Sequence, residues 1–211
     1  MSFKAILGDI LPKYIRLSKT EAKILDTIIT VKSGNAYSLW KASGLKHYPT
    51  VLRTLKKLEE KRLVQKLSES GTRGERMYTP TLLGTLVSHI FNGEKKKIIK
   101  IVAENSSLFR ELSKIEDVDY YAFRAVQEIV LDAYRKTAPR GIDESFKNCI
   151  EWALRDTIVN PFDEGNPEWI MKVSKVKRVR QLAIRLIEEE IDWCKREIEE
   201  LSKLKERLTA K

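Results

Sequence analysis

Apolar residues recur at helical spacing between residues 49 and 61. Val51, Leu55 and Leu58, with Leu63 beyond the end, form one stripe, and Thr50, Arg53, Thr54, Lys56 and Lys57 form a polar side without an acid before Glu59. Pro49 suits the first helical turn, where its missing N–H costs nothing, and holds Tyr48 extended before it. Upstream, Leu39, Trp40 and Leu45 mark a short helix ending at Ser43-Gly44, with Gly44 able to take the left-handed conformation that closes a helix. Downstream, residues 63–67 alternate as a strand and residues 76–79 can return antiparallel to it. Between them lies a loop holding Gly71, Arg73 and Gly74. The order predicts a helix-turn-helix followed by a small two-stranded wing, with its tip at residues 68–76.

The flanking periodicities extend this outline. Phe3, Ile6, Leu7, Ile10 and Leu11 predict a helical arm over residues 1–19, and the hydroxyls of Ser18 and Thr20 cap a first core helix carrying Ala22, Leu25, Ile28 and Ile29. Leu82, Leu83, Leu86, Val87, Ile90 and Phe91 form the helix after the wing, and Asn92-Gly93 breaks it. A winged-helix domain over residues 20–93 and a helical domain over residues 94–211 follow. The second domain holds a lysine-rich helix from about residue 95, then SSLFRELSKI and DYYAFRAVQEIVLDAYRKT, then residues 142–158 with Phe146, Ile150, Trp152 and Leu154. The tyrosines and Phe123 read as core, with an effector pocket as the sharper alternative. After the loop at residues 160–167 no Pro or Gly remains, so residues 168–208 predict one helix of roughly 60 Å at 1.5 Å per residue. Ile184, Ile187, Ile191, Cys194, Ile198 and Leu201 step by 3, 4, 3, 4 and 3 along it, a coiled-coil seam that Lys205 interrupts. A second subunit's helix, or the helices of residues 94–158 in a fold-back, would satisfy it. The fold class is mainly α: a winged helix-turn-helix, then an all-α domain ending in a long coiled-coil-like helix.

Charge sharpens the picture. The net charge is +10, and residues 1–93 hold 16 Lys and Arg against 7 Asp and Glu, whereas residues 94–211 hold 24 against 23. The excess sits with the helix-turn-helix, as expected where phosphates are neutralised. Lys172, Lys175, Lys177, Arg178, Arg180 and Arg185 then form a basic start to the last helix, followed by Glu188, Glu189 and Glu190. Pairing with an acidic segment of another subunit and a second DNA contact both fit that block. The lysines at 95, 96, 97 and 100 read as a solvated face.

Hydrophobic residues make up 42% of the chain, without an apolar run near the ~20 residues of a membrane span. The N-terminus lacks the features of a signal peptide, and Cys149 and Cys194 lie too far apart for Cys-x-x-Cys chemistry, which fits a reducing cytoplasm. His47 and His89 are the only histidines; no nucleophile–base arrangement, phosphate-binding Gly-Lys-Ser/Thr motif or cluster of metal ligands accompanies them. Neither an enzyme, a cofactor nor a metal is expected, and nothing in the sequence names a small-molecule effector.

The run TVLRTLKKLEEKRLV, the wing and YTPTLLGTLV together resemble the MarR/PadR-like winged-helix transcription regulators. Leu58, Glu59, Leu63 and Val64 match the family's Leu-Glu-x-x-Gly-Leu-Val pattern, and Tyr78, Thr81 and Gly84 match Tyr-x-Leu-Thr-x-x-Gly. Arg62 stands where the family has Gly, and Pro80 where it has Leu. The resemblance covers residues 20–90. It implies a DNA-binding regulator in which Thr50, Arg53 and Arg73 fall where the family contacts DNA.

The resulting expectation is a homodimer on double-stranded DNA. Thr50, Arg53 and Thr54 would meet base edges, Lys46, Tyr48, Lys56 and Lys57 would hold phosphates, and Arg73 and Arg76 would bring the wing to the adjacent backbone. A protein-interaction adaptor built on the same scaffold, and an architectural or partition protein with little sequence preference, are the alternatives.

Overall fold

The computed structural model describes residues 15–67, 76–135, 140–163 and 165–209. Of the N-terminal arm expected over residues 1–19, residues 1–14 lie outside the described residues, and residues 15–18 are not helical; the wing tip with Arg73 also lies outside.

The winged half begins with α1 (Lys19–Val31), capped by Ser18, whose hydroxyl accepts from Glu21 N at 3.2 Å while its own N–H donates to the Glu21 carboxylate at 2.7 Å. This reciprocal pair satisfies two N–H groups that the first helical turn leaves open. Strand β1 (Gly34–Asn35), helix α2 (Ala36–Ser43), helix α3 (Tyr48–Glu60), strands β2 (Val64–Lys66) and β3 (Met77–Pro80) and helix α4 (Leu82–Phe91) follow. The sheet has three strands in the order β1-β3-β2, all antiparallel, with Gln65 opposite Thr79 and Gly34 opposite Tyr78. The wing strands are those expected; β1 is an addition, since two residues of a helix-ending Gly-Asn carry no strand signal.

The end of α3 explains the family mismatch at Arg62. Leu63 N donates to Leu58 O and Arg62 N to Glu59 O, both at 2.9 Å, the paired bonds of a Schellman turn, and Arg62 sits at φ 59°. Helix α4 ends in the same way, with Glu94 N on His89 O, Gly93 N on Ile90 O and Gly93 at φ 70°. The chain thus keeps the left-handed backbone and changes only the residue, which costs an L side chain about 1–2 kcal/mol. Glycine's greater freedom in the unfolded chain takes back about 0.5–1 kcal/mol of that. Arg62→Gly is expected to raise stability by about 0.5–1 kcal/mol in urea unfolding; a loss of stability would show that the arginine side chain holds the turn.

The helical half comprises α5 (Lys95–Asn105), α6 (Ser107–Leu112), α7 (Asp119–Tyr134), α8 (Ile142–Val159), α9 (Asn166–Val173) and α10 (Lys177–Thr209). At Gly93, the expected domain boundary, the chain reverses, but the apolar core continues from Ile24, Leu55 and Leu86 through Ile98, Phe123 and Phe146 to Val179 and Leu186. Helix α4 joins the halves, packing on α1 and on α7. Ser88 Oγ donates to Asp26 Oδ1, and Asn92 Nδ2 reaches both oxygens of that carboxylate at 3.2 Å, so α4 is also tied to α1 by polar bonds.

The single helix expected over residues 168–208 is two. Val173, Val176 and Val179 are all buried at intervals of three. A continuous α-helix would spread the three over about 120° of its surface; here the helix is interrupted between them. The interruption is a tight turn, with Lys175 N on Lys172 O and Val176 N on Val173 O at 3.1 and 3.0 Å. Helix α10 then runs 33 residues, about 50 Å. Val179, Ala183 and Leu186 lie buried in its N-terminal half, which packs on α8. The expected seam is a different stripe: Ile184, Ile187, Ile191, Cys194, Ile198 and Leu201 are exposed, the last two at 63%. Folding back onto the preceding helices therefore leaves the seam open.

Candidate nucleic-acid interface

The helix-turn-helix is built from short-range bonds. Asn35 caps α2, accepting from Ser38 N at 2.7 Å, and Gly44 closes it at φ 62°, ψ 25°. Trp40 Nε1 donates to Leu45 O at 2.7 Å, so the indole holds the turn directly after Gly44. Tyr37, Trp40 and Tyr48 form a ring trio with centroids 5.6–6.4 Å apart, and the Lys41 ammonium lies 4.7 Å above the Tyr37 ring. Tyr48 and Pro49 open α3, one residue earlier than expected, with His47 as the extended cap.

Helix α3 sorts its residues cleanly. Val51, Thr54, Leu55 and Leu58 are buried, and Thr50, Leu52, Arg53, Lys56 and Lys57 are exposed. Thr54 corrects the expectation: it is 5% exposed and its hydroxyl donates to Thr50 O at 2.8 Å, so it cannot meet a base edge. It occupies the i+3 position from Val51 and the i−4 position from Leu58, on the core stripe. Leu52, by contrast, stands outward between Thr50 and Arg53, an apolar contact of the kind that suits a thymine methyl. Tyr48 is half-buried in the ring trio, which makes it as much a support of α3 as a phosphate ligand.

The cations on this face are available. Among the described residues, Lys46, Arg53, Lys56 and Lys57 have no ion-pair partner, while their neighbours are committed: Lys61 to Glu21 at 2.7 Å and to Arg16 O at 2.6 Å, and Lys66 to Glu59 at 2.8 Å. Burial works to raise the Glu21 carboxyl, but the hydrogen bonds from Lys61 and Ser18 outweigh it and hold the group below the usual range. Arg76 is exposed where the chain re-enters the sheet. Tyr37, Lys41 and Leu52 are the members that reading the sequence missed; helical projection of α2 and α3 would have put Leu52 on the outer face.

Elsewhere the basic start of α10 is partly committed within the chain. Lys172 pairs with Glu116 at 3.4 Å, Arg178 donates to Ser107 Oγ at 2.9 Å, and Arg185 reaches Glu151 at 3.4 Å. Lys97 and Lys100 pair with Glu94 and Glu104 on the lysine-rich helix. Tyr120 and Tyr121 are half-buried, not core; with Trp152 they line a cleft of about 320 Å³ that Cys149 borders. Burial pushes the Cys149 thiol up to about 11. His89 is buried, its Nδ1 2.6 Å from Glu94 Oε2, which ties the end of α4 to the start of α5. Among the described residues no group of His, Cys, Asp and Glu is arranged to hold a metal, and no helix is long and apolar enough to cross a membrane.

No family model and no curated protein matches the chain. Solved structures are similar to it over part of their length. Wild-type MarR from E. coli, in its apo form, is 17% identical with a TM-score of 0.34, over 41% of this chain and 63% of that one. RV1404 from Mycobacterium tuberculosis is 18% identical with a TM-score of 0.37, over 49% and 71%. ZitR, a zinc-responsive MarR family member from Lactococcus lactis, is 14% identical with a TM-score of 0.34, over 63% and 94%. The chain thus spans less than two thirds of the MarR structure. The fold of residues 19–91, by its own element order, is a winged helix.

Proposed function

We propose that this chain is a sequence-specific, double-stranded DNA-binding transcriptional regulator acting as a homodimer, with α3 in the major groove and the wing on the adjacent backbone. The observation that carries the reading is the uncommitted cationic face of α3. Arg53, Lys56 and Lys57 project from consecutive turns with Lys46 at the preceding turn, and buried acids do not neutralise them. Arg53 is the base reader, since its planar fork matches guanine O6 and N7; Thr50 and Leu52 flank it. Lys46, Lys56 and Lys57 neutralise phosphates, and Arg73 and Arg76 serve the wing.

Arg53→Ala is expected to cost about 1–3 kcal/mol on the preferred duplex and to relax its sequence preference, whereas Lys57→Ala weakens all duplexes alike and lowers the salt slope by about one. The preferred duplex comes from selection out of a random pool at physiological salt, and titration across salt concentrations reads both effects. Equal losses on preferred and random DNA for both variants would remove Arg53 as a base reader. The exposed stripe of α10 favours a second reading, a protein-interaction adaptor. DNA affinity no tighter than about 10⁻⁴ M would select that reading.

A further inference from the structure

We infer that the open stripe of α10 is closed by α10 of a second copy running antiparallel, with the two-fold axis between Asp192 and Trp193; this rests on the homodimer reading above. The steps of 3, 4, 3, 4 and 3 from Ile184 to Leu201 are the same from either end. Reversal about that axis sets Ile184 against Leu201, Ile187 against Ile198, and Ile191 against Cys194, so every layer is apolar and the small Cys194 meets a large residue. Just beyond these layers Lys205 falls opposite Arg180, as like-charged as the Lys205 pair of a parallel register. A parallel pair in register would instead stack Cys194 on Cys194, a thin layer.

The widening of the stripe points the same way. Beyond Ile191 the exposed apolar surface spreads to Trp193, Leu204 and Leu208. Leu204 lies three heptads beyond Ala183 on the same side of the helix, and Ala183 is buried in the half of α10 that packs on α8. An antiparallel partner brings its C-terminal half alongside this N-terminal half, so its Leu204 enters the groove between α10 and α8. In a parallel pair the C-terminal halves meet only each other. Charge is mixed: the reversal sets Glu189 and Glu190 opposite Arg196 and Lys195, reciprocally in both copies, and Glu188 opposite Glu197.

The test uses the full-length chain. Sedimentation of the wild type at micromolar concentration is expected to show a dimer. In a Cys194→Ser background, the combination Ile187→Cys with Ile198→Cys is expected to give a covalent dimer under mild oxidation, and either substitution alone to give none. In the antiparallel register position 187 lies about 16 Å along the axis from its own counterpart, and position 198 likewise, beyond the ~7 Å Cα limit of a disulfide. Cys194 lies only about 4.5 Å along the axis from its own counterpart, within that limit, which is why serine replaces it in the test; buried Cys149 does not interfere. All three positions are exposed, so circular dichroism of the variants should be that of the wild type. A cross-link in either single variant, or none in the combination while the protein sediments as a dimer, overturns the antiparallel register. A monomer in sedimentation overturns the homodimer reading itself.

Discussion

Gly84→Ala is expected to destabilise the protein by about 3 kcal/mol or more, although the same change in an exposed helix normally gains up to ~1 kcal/mol. A Cβ on Gly84 would lie 1.9 Å from the Leu63 carbonyl oxygen and 2.8 Å from its carbon. Both obstacles are backbone, so no side chain can swing aside, and α4 must lift from the start of β2. Lifting strains two bonds at that junction: Thr81 N on Leu63 O at 3.1 Å and Thr81 Oγ1 on Arg62 O at 2.7 Å, each worth about 1 kcal/mol. For a chain of this size such a loss lowers the melting temperature by about 6–12 °C. Calorimetry of the variant checks it; an unchanged or raised midpoint would mean that α4 can shift without cost. The motif position Gly84 is thus explained by close approach: its φ is ordinary and its missing side chain is what matters.

Phe146→Ala is expected to cost about 3–5 kcal/mol. Phe146 is fully buried on α8, edge-on to Phe109 with centroids 5.3 Å apart, and its removal leaves a ring-sized cavity between α6 and α8. The informative part is how far the loss spreads. Because one apolar core runs from Ile24 to Leu186, unfolding should be a single transition, and hydrogen exchange at Ile24, Leu25 and Ile28 of α1 should quicken together with that of α8. Unchanged protection in α1 beside weakened α8 would mean that the halves open separately at Gly93.

Much of the winged half was legible because its signals are local. Pro49, the Val51-Leu55-Leu58 stripe, Gly44 and the alternation at residues 63–67 each act within one turn or strand, and the corresponding elements stand in the structure. What was not legible depends on packing across the chain. Strand β1 is two residues whose pairing exists only because β3 passes alongside. Thr54 looked like a groove residue by type, yet its place on the helix is set by Val51 and Leu58. The break after Val173 has no Pro or Gly to announce it, and valines three apart are as compatible with one continuous helix. The seam residues were visible from spacing, but only the position of α8 separates the covered stripe of α10 from the open one.

The bond from the Trp40 indole to Leu45 O, with the Tyr37 and Tyr48 rings packed against it, means that the turn before α3 is already in its working shape in the free protein. A polyanion docking on α3 therefore does not have to freeze backbone there. Its entropic cost falls on the long side chains of Lys46, Arg53, Lys56 and Lys57, about 0.5–1.5 kcal/mol for each one immobilised. Selectivity then turns on whether a given surface rewards Arg53 for giving up that freedom, and a lysine that keeps its motion over a phosphate asks almost nothing of the sequence beneath it.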